Sequence, residues 1–382
     1  MHINIGVSGT GFISTGFFQL VNGNPNYSIS KVLSRRPIAS FSRYQFADLV
    51  TNNIDELIES CDVIFECSGD AIFASEVINQ AFLAGKPVVT MNAEFQICAG
   101  TYFQELGLLH ESAGDQPGSL AALNQEVQMM GFEPVLYGSQ KSHLNPNPDR
   151  EYAEHWAKMN HQSVEKTVSF SDGTKVQIET ALVANGLGTE ILQDGLMGPS
   201  AVSTKDGAFM LAELAEQQGK VVSDFVLHKE GLGEVFIVAK HQENHRAALS
   251  YYKFGQGPYY FIQRSFHLGH FEILNSINSV LNTSVQLFNN GLNPTISVAA
   301  VAKQDISAGT FLAQGVGSFE VRGKAVKIDS HPNHVPIALL QNCEIQKSIK
   351  CGEIVTFNDV ALPDSLAYRA WKHTHSKTLK IV

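Results

Sequence analysis

The run INIGVSGTGFIS, Ile3 to Ser14, is a short apolar strand that breaks on closely spaced glycines and passes straight into a helix. Each part has a physical reading. Gly6 suits a close turn. Gly9 and Gly11 carry no Cβ, so their backbone N–H groups can approach a pyrophosphate, and a helix starting near Phe12 aims its positive end at that anion. Gly9, Thr10, Gly11, Phe12 and Ile13 are therefore the expected contacts of a dinucleotide, and Ser14 is small enough for tight packing of the helix on the strand.

Outward from this motif, β-branched runs alternate with helical stretches. Strands are expected at Asn4–Ser8, Ser28–Leu33, Asp62–Cys67, Pro87–Met91, Gly107–Glu111 and Pro134–Gly138, with helices near Phe12–Asn22, Ala71–Ala84 and Leu120–Met130. That alternation predicts an α/β fold, a Rossmann-type doubly wound parallel sheet over residues 1–138. Residues 139–295 differ: a loop-rich HLNPNPDR, a helical EHWAKMN, Val164–Ser171 turning through Ser171-Asp-Gly-Thr174, and helical runs at Phe271–Leu281 and Ser284–Phe288 that return to the first domain. This block is expected to be a middle α+β domain that holds substrate. From about Thr295 two similar units recur, each an apolar strand followed by a lysine-led turn ending in glycine, Lys303 to Gly309 and Lys347 to Gly352. Residues 296–382 are expected to form a small β-rich domain.

Cofactor choice is read at the end of the second strand. An NAD site usually places a carboxylate there for the ribose hydroxyls, whereas this strand ends in Ser34-Arg35-Arg36. A hydroxyl and planar guanidinium donors suit a 2′-phosphate, so NADP(H) is the expected coenzyme. Glu66-Cys67-Ser68-Gly69 and Thr90-Met91-Asn92-Ala93-Glu94 end two further strands, where open sheets bind ligands; Ser68, Gly69 and Asn92 are expected beside the nicotinamide, with helix capping the alternative for Asn92 and Glu94.

Four further groups carry chemistry. Asp115, in Gly114-Asp115-Gln116-Pro117-Gly118, is either an acidic group at the sheet's mouth or a local cap. Lys141 directly follows the strand VLYGSQ, where an ammonium can polarise a carbonyl oxygen. The aromatic segment Tyr251–Leu274 carries Arg264, His267, His270 and Glu272; Arg264 and His267 are the expected holders of an anionic substrate group, in preference to a metal site at His267 and His270. Glu179 and Asn185 are polar points on an apolar stretch and are expected to face the same cavity.

Composition narrows the classes. With 27 Lys and Arg against 37 Asp and Glu, the net charge of −10 repels phosphate polymers, so nucleic acid is not an expected partner and an anionic ligand needs local basic groups. The 5 cysteines form no C-x-x-C pair and read as reduced thiols. No signal peptide and no membrane-spanning run is read, and the cytoplasm is the expected location.

Taken together, VSGTGFIS (Val7–Ser14), TMNAE (Thr90–Glu94), AGDQPG (Ala113–Gly118), SDGTKVQIETALVANGLG (Ser171–Gly188), DGLMGP (Asp194–Pro199) and GQGPYYFIQRSFHLGHFE (Gly255–Glu272) resemble homoserine-dehydrogenase-like NAD(P) oxidoreductases with a C-terminal SAF domain. Within that group the chain is similar to reductoisomerase-like enzymes that convert 1-deoxy-D-xylulose 5-phosphate using NADPH. The resemblance implies that Lys141 is the active-site lysine and that Arg264 and His267 stand in the R-P-[FY]-H segment, which here has Ser265 in place of the proline. It implies a small hydroxylated, phosphorylated carbonyl substrate. A reductoisomerisation would add a divalent cation, with Asp115 or Glu179 as ligands. Alternatives are a homoserine-dehydrogenase-like alcohol dehydrogenase and an NADP-bound saccharide sensor without turnover. The resemblance is compatible with a homodimer, and the sequence leaves the oligomeric state open.

Overall fold

A computed structural model describes residues 2–282 and 287–381. The chain forms two compact units. The first comprises the chain through Asp115 together with Leu268–Asn293 and Asp364–Ile381. Its strands are β1 (Ile3–Ser8), β2 (Tyr27–Leu33), β3 (Val50–Thr51), β4 (Val63–Glu66), β5 (Val88–Thr90) and β6 (Leu109–Glu111). All are parallel, in the order β3-β2-β1-β4-β5-β6. This is the doubly wound nucleotide-binding order, with its switch point between β1 and β4. β4 and β5 are buried at every residue, as strands covered on both faces must be, hence their Val/Ile/Phe runs. The core joins Ile5, Val7, Phe17, Val32 and Phe65 to Ile273, Ile277 and Val280 of the returning helix Ile273–Leu281.

One sequence expectation changes in this unit. Gly6 lies inside β1 instead of at a turn; a Cβ there would come 2.9 Å from Cys61 Sγ and 3.0 Å from Leu57, so its role is close packing of the helix Ile54–Glu59 on the strand. That helix, and the helical run from Ala93 to Gln104 with its wider π turn at Gln96–Gly100, were not anticipated. The helical run expected at Ser284–Phe288 falls largely on residues 283–286, outside the described residues.

The second unit comprises Gln116–His267 and Pro294–Pro363. Its main sheet contains β7 (Glu133–Lys141), β8 (Val222–Leu227), β9 (Val235–Lys240) and β10 (Tyr260–Arg264), in the order β10-β9-β7-β8. β7 runs parallel to β8 and antiparallel to β9. The strand expected at Pro134–Gly138 as part of the nucleotide-binding sheet is thus β7, a central strand of this second sheet. Its alternation serves two helix layers: Tyr137, Val235, Ile237 and Ile262 meet Leu120, Leu123 and Val183 on one face, and Leu136, Phe236 and Val238 meet Ala208, Leu211 and Ala212 on the other.

The segment Val164–Ser171 is a helix, and Ser171-Asp-Gly-Thr174 is the turn into a second one, Thr174–Leu187. Gly173 makes that turn at φ +84°. β11 (Ile296–Ala302), β12 (Phe311–Gln314), β13 (Val321–Lys327), β14 (Gln341–Ile345) and β15 (Val360–Ala361) follow, with β11 paired to β13 and β12 and β15 flanking β14. The two lysine-led turns meet each other: Ile306 bridges Ile349, and Gly309 and Gly352 take φ +84° and +86°. These strands are not a free-standing module. Thr174 Oγ1 and Gln177 Oε1 accept the N–H groups of Gly323 and Ala325 at 2.8 and 2.7 Å, so the helix Thr174–Leu187 satisfies one edge of β13. Lys303 reaches Asp172 at 2.6 Å, almost fully buried, beside the helix N-terminus. The final helix, Leu366–Ile381, belongs to the first unit and not to a block running from 296 to 382. No described helix is long and apolar enough to cross a membrane.

Candidate active site

In the first unit the glycine turn joins β1 to the helix Phe12–Val21. Gly9 takes φ +122°, and a Cβ there would sit 2.9 Å from the Cys67 carbonyl oxygen and 3.1 Å from Ser68 N. Backbone walls it on that side. Gly11 is the opposite case: a Cβ would meet nothing within 4 Å, so the turn is open where the helix begins. The helices starting at Ile54, Ala71, Arg150, Val164 and Thr204 have side-chain caps from Asn53, Asp70, Asp149, Ser163 and Ser203. The helix Phe12–Val21 has no side-chain cap and no acidic residue in its first turn. Its leading N–H groups and positive dipole end are thereby kept for an anion. The buried Ser8 and Ser14 hydroxyls, at the two ends of this turn, have no hydrogen-bond partner, and Phe12 is 64 % exposed. An uncapped helix start, an open glycine and orphaned hydroxyls fit a dinucleotide pyrophosphate.

The strand end Ser34-Arg35-Arg36 is brought to the same place, but its arginines part. Arg36 donates from Nη2 to Thr10 Oγ1 at 2.8 Å and lies over the Phe41 ring at 4.6 Å. Arg35 pairs with Asp70 at 2.7 Å and lies over Phe73 at 4.6 Å. Ser34 Oγ accepts the Arg36 N–H, and Asn52 Nδ2 donates to the carbonyls of Ser34 and Arg36, so the turn is held from within. The side facing the glycine turn therefore carries a guanidinium, the group that suits a 2′-phosphate.

Cys67 and Ser68 form the wall beside Gly9, and Gly69 follows at φ +70° with open space around it. Asn92 is fully buried, and its Oδ1 accepts the Phe95 N–H at 3.0 Å. It caps the run that starts at Ala93, the alternative reading of this residue. Ile13 packs near Gly269, and Gly114 closes on Gly269: the Gly269 N–H donates to the Gly114 carbonyl at 3.0 Å. His270 lies against Gly16, whose missing Cβ leaves room for the ring, and burial lowers its pKa. His267 is the last residue of this stretch in the second unit, and His270 belongs to the first. Asp115 is the last residue of the first unit, half-buried, directly before the helix Gln116–Met129.

In the second unit Lys141 ends β7 and its Nζ lies 3.1 Å from Glu179 Oε2. Lys175, one turn earlier on the helix Thr174–Leu187, reaches Glu179 Oε1 at 3.7 Å. Two ammonium groups thus converge on one carboxylate whose side chain is 4 % exposed. Strand register places Arg264 opposite Val235 and Val235 opposite Ser139, so Arg264, Ser139 and Lys141 share one face and one end of the sheet. That face is the one covered by the helix carrying Lys175 and Glu179. His267 joins through the loop before β9: a Cβ on Gly233 would lie 3.7 Å from its ring, and the Gly233 N–H donates to Gln140 Oε1 at 2.7 Å. A small pocket, with room for about 10 Å³, is lined by Gln116, Tyr137, Ser139, Glu179, Thr180 and Ser223 among others.

Two expectations change here. Asn185 does not face this cavity; it bonds Ile296, accepting its N–H at 3.0 Å and donating to its carbonyl at 2.8 Å. Glu179 answers two ammonium groups, a donor set that does not fit a further cation, and among the described residues no three His, Cys, Asp or Glu side chains gather as a metal site. Lys175 was missed by sequence reasoning. The signal was its spacing, four residues before Glu179 on the same helix.

This geometry is a doubly wound parallel-sheet unit and an α/β unit with a lysine–carboxylate centre. Residues 114–273 match the family model of the catalytic domain of oxidoreductase DRL, a segment that contains Lys141, Lys175, Glu179, Arg264 and His267. The oxidoreductase class expected from the sequence stands on this match; it does not extend to a homoserine-dehydrogenase-like or SAF assignment. No curated protein matches the chain. Among solved structures the chain is similar to a probable dehydrogenase from Thermotoga maritima (13% identity, 75% of this chain and 90% of that one, TM-score 0.46). It is also similar to a UDP-N-acetylglucosamine 3-dehydrogenase from Acidithiobacillus ferrooxidans (13% identity, 76% and 92%, TM-score 0.43).

Proposed function

We propose that this protein is an NADPH-dependent oxidoreductase that reduces the carbonyl of a small, hydroxylated and anionic substrate. The observation that carries the reading is the glycine turn, which opens onto an uncapped helix N-terminus and has Arg36 tied to it through Thr10. When bound, the reduced nicotinamide supplies hydride. The chain's own groups supply the rest. The turn at Gly9 and Gly11 and the helix start receive the pyrophosphate, and Arg36 takes the 2′-phosphate.

In the second unit Lys141 donates to the carbonyl oxygen and stabilises the alkoxide as it forms. Glu179 holds the Lys141 ammonium in place from behind. Lys141, Lys175 and Glu179 together carry a net positive charge, and Arg264 and His267 add donors for an anionic end. This favours a phosphorylated substrate of the reductoisomerase-like kind over the zwitterionic homoserine. No step is assigned to a metal.

Calorimetry with NADPH and NADH, followed by coenzyme absorbance with 1-deoxy-D-xylulose 5-phosphate or homoserine, tests the reading. Tighter binding of NADPH and turnover of the phosphorylated ketose are expected. Equal affinity for the two coenzymes would remove the role of Arg36, and binding without turnover of any carbonyl compound would make the protein a sensor instead of an enzyme.

A further inference from the structure

Across the carboxyl ends of four adjacent strands runs a row of polar residues. Ser8, Glu66, Thr90 and Glu111 are in register on β1, β4, β5 and β6, and each is 0 % exposed. A carboxylate this deep costs several kcal/mol unless its oxygens are satisfied, and valine or leucine would suit a doubly covered strand better. Glu66 is satisfied in an informative way. Its Oε1 accepts the Ser68 N–H at 2.8 Å and its Oε2 accepts the Thr90 hydroxyl at 3.1 Å. The segment it grips, Cys67–Ser68, is the backbone that stands 2.9 to 3.1 Å from where a Gly9 Cβ would be.

The connection continues outward. Ser68 Oγ accepts the Asp70 N–H at 3.3 Å, Asp70 Oδ1 caps the helix Ala71–Leu83 through Ile72 and Phe73, and Asp70 pairs with Arg35. One carboxyl group therefore ties the end of β5 to the wall of the glycine turn and, through Ser68 and Asp70, to Arg35. Being wholly buried, Glu66 does not touch a ligand itself.

We propose that Glu66 is a positioning residue of the coenzyme cradle: as a hydrogen-bond acceptor it clamps the Cys67–Gly69 segment at the spacing that leaves the Gly9 turn open to a dinucleotide. This rests on the coenzyme reading above. The full chain is compared as wild type, Glu66→Ala, Glu66→Gln and Thr90→Val, with circular dichroism and thermal unfolding to establish folding and calorimetry to measure the dissociation constant for NADPH. In folded Glu66→Ala the constant should rise roughly tenfold or more, the scale of a buried hydrogen-bond donor left unsatisfied. Glu66→Gln keeps an acceptor for Ser68 and should stay within about threefold of the wild-type dissociation constant. Wild-type affinity in folded Glu66→Ala overturns the proposal, as does an equal loss in the Gln and Ala variants. Should Glu66→Ala not fold, Thr90→Val decides: weakened NADPH binding supports the clamp and unchanged binding overturns it. Failure of the wild type itself to bind NADPH overturns the function proposed above, a result distinct from any of these.

Discussion

At Lys141 the distance to Glu179 separates two jobs that a lysine can do at the end of a strand. A lysine that only anchors a carboxylate matters to folding, whereas one that also meets a carbonyl oxygen matters to turnover. Lys141→Ala should lower kcat by roughly 10²-fold or more, the cost of removing one donor to a developing oxyanion, and leave the NADPH dissociation constant unchanged. Steady-state kinetics beside calorimetry checks this, and near-normal kcat removes the lysine from the chemistry. The arginines divide in the same manner. Arg36→Ala should weaken NADPH binding about tenfold and leave NADH binding as it was, while Arg35→Ala, removing a partner of Asp70, should affect both coenzymes alike. The sequence shows an Arg-Arg pair; which guanidinium turns toward Thr10 is decided by Asp70 and Phe73, some 35 residues away in the chain, and no local pattern contains that. Glu66 was legible only as the last residue of a strand, because its burial comes from neighbours on β1 and β5.

His110 offers a residue-scale test of pH dependence. Burial lowers its pKa from 6.5 to about 4, and its Nδ1 accepts the Phe288 N–H at 3.0 Å, a role open only to the neutral ring. The unfolded chain binds the proton first, so the stability due to neutral His110 is full above pH 6.5 and is lost as pH falls toward 4. Glu66 acts in the other direction: burial raises it from 4.5 to about 7, so its contribution declines as pH rises across that interval. His110→Gln should therefore show a smaller fall in melting temperature between pH 6.5 and 4 than the wild type. Parallel curves would dismiss the histidine.

At the scale of the element, the glycine turn allows fold and function to be pulled apart. Gly9→Ala puts a methyl into the Cys67–Ser68 backbone at a positive φ, so it should lower the melting temperature and abolish NADPH binding together. Gly11→Ala meets no atom and has φ −88°, an ordinary value; its melting temperature should be unchanged while NADPH affinity falls, because the methyl occupies the space kept for the anion. Thermal unfolding and titration of the two variants decide it. Strands β1, β2, β4, β5 and β6 were legible because doubly covered strands are written in Val, Ile and Phe, whereas the two-residue edge strand β3 was not anticipated. The partner of β7 was not, since a strand's own residues say that it is buried and not in which sheet. The helix Thr174–Leu187 was half legible: its polar residues stood out, but only the structure shows Glu179 and Lys175 on the side facing β7 and Thr174, Gln177 and Asn185 serving the strands that follow.

At the scale of the molecule, the chain leaves and re-enters its first unit. The helix Leu366–Ile381 packs against the helix Ala71–Leu83 and the run Gln96–Gln104, with Lys377 paired to Glu105 at 2.8 Å and Trp371 only 2 % exposed. Removing the chain from Asp364 onward should uncover that surface. Proteolysis should then cut first within residues 71–105, while the second unit, which lacks only this helix as a sequence neighbour, should remain resistant; an intact first unit would show that the helix is dispensable. The location of this helix could not be read from its sequence, an amphipathic stretch that fits any apolar surface.

The same helix has a consequence for birth on the ribosome. β1 to β6 emerge early, yet the helix that packs on Ala71–Leu83 and Gln96–Gln104 is translated after residues 116–363, so the apolar surface of those two helical runs stays bare until then. The yield of folded protein should therefore fall when elongation is speeded through residues 116–363 or when chaperones are depleted, and an unchanged yield would show that the bare surface is harmless.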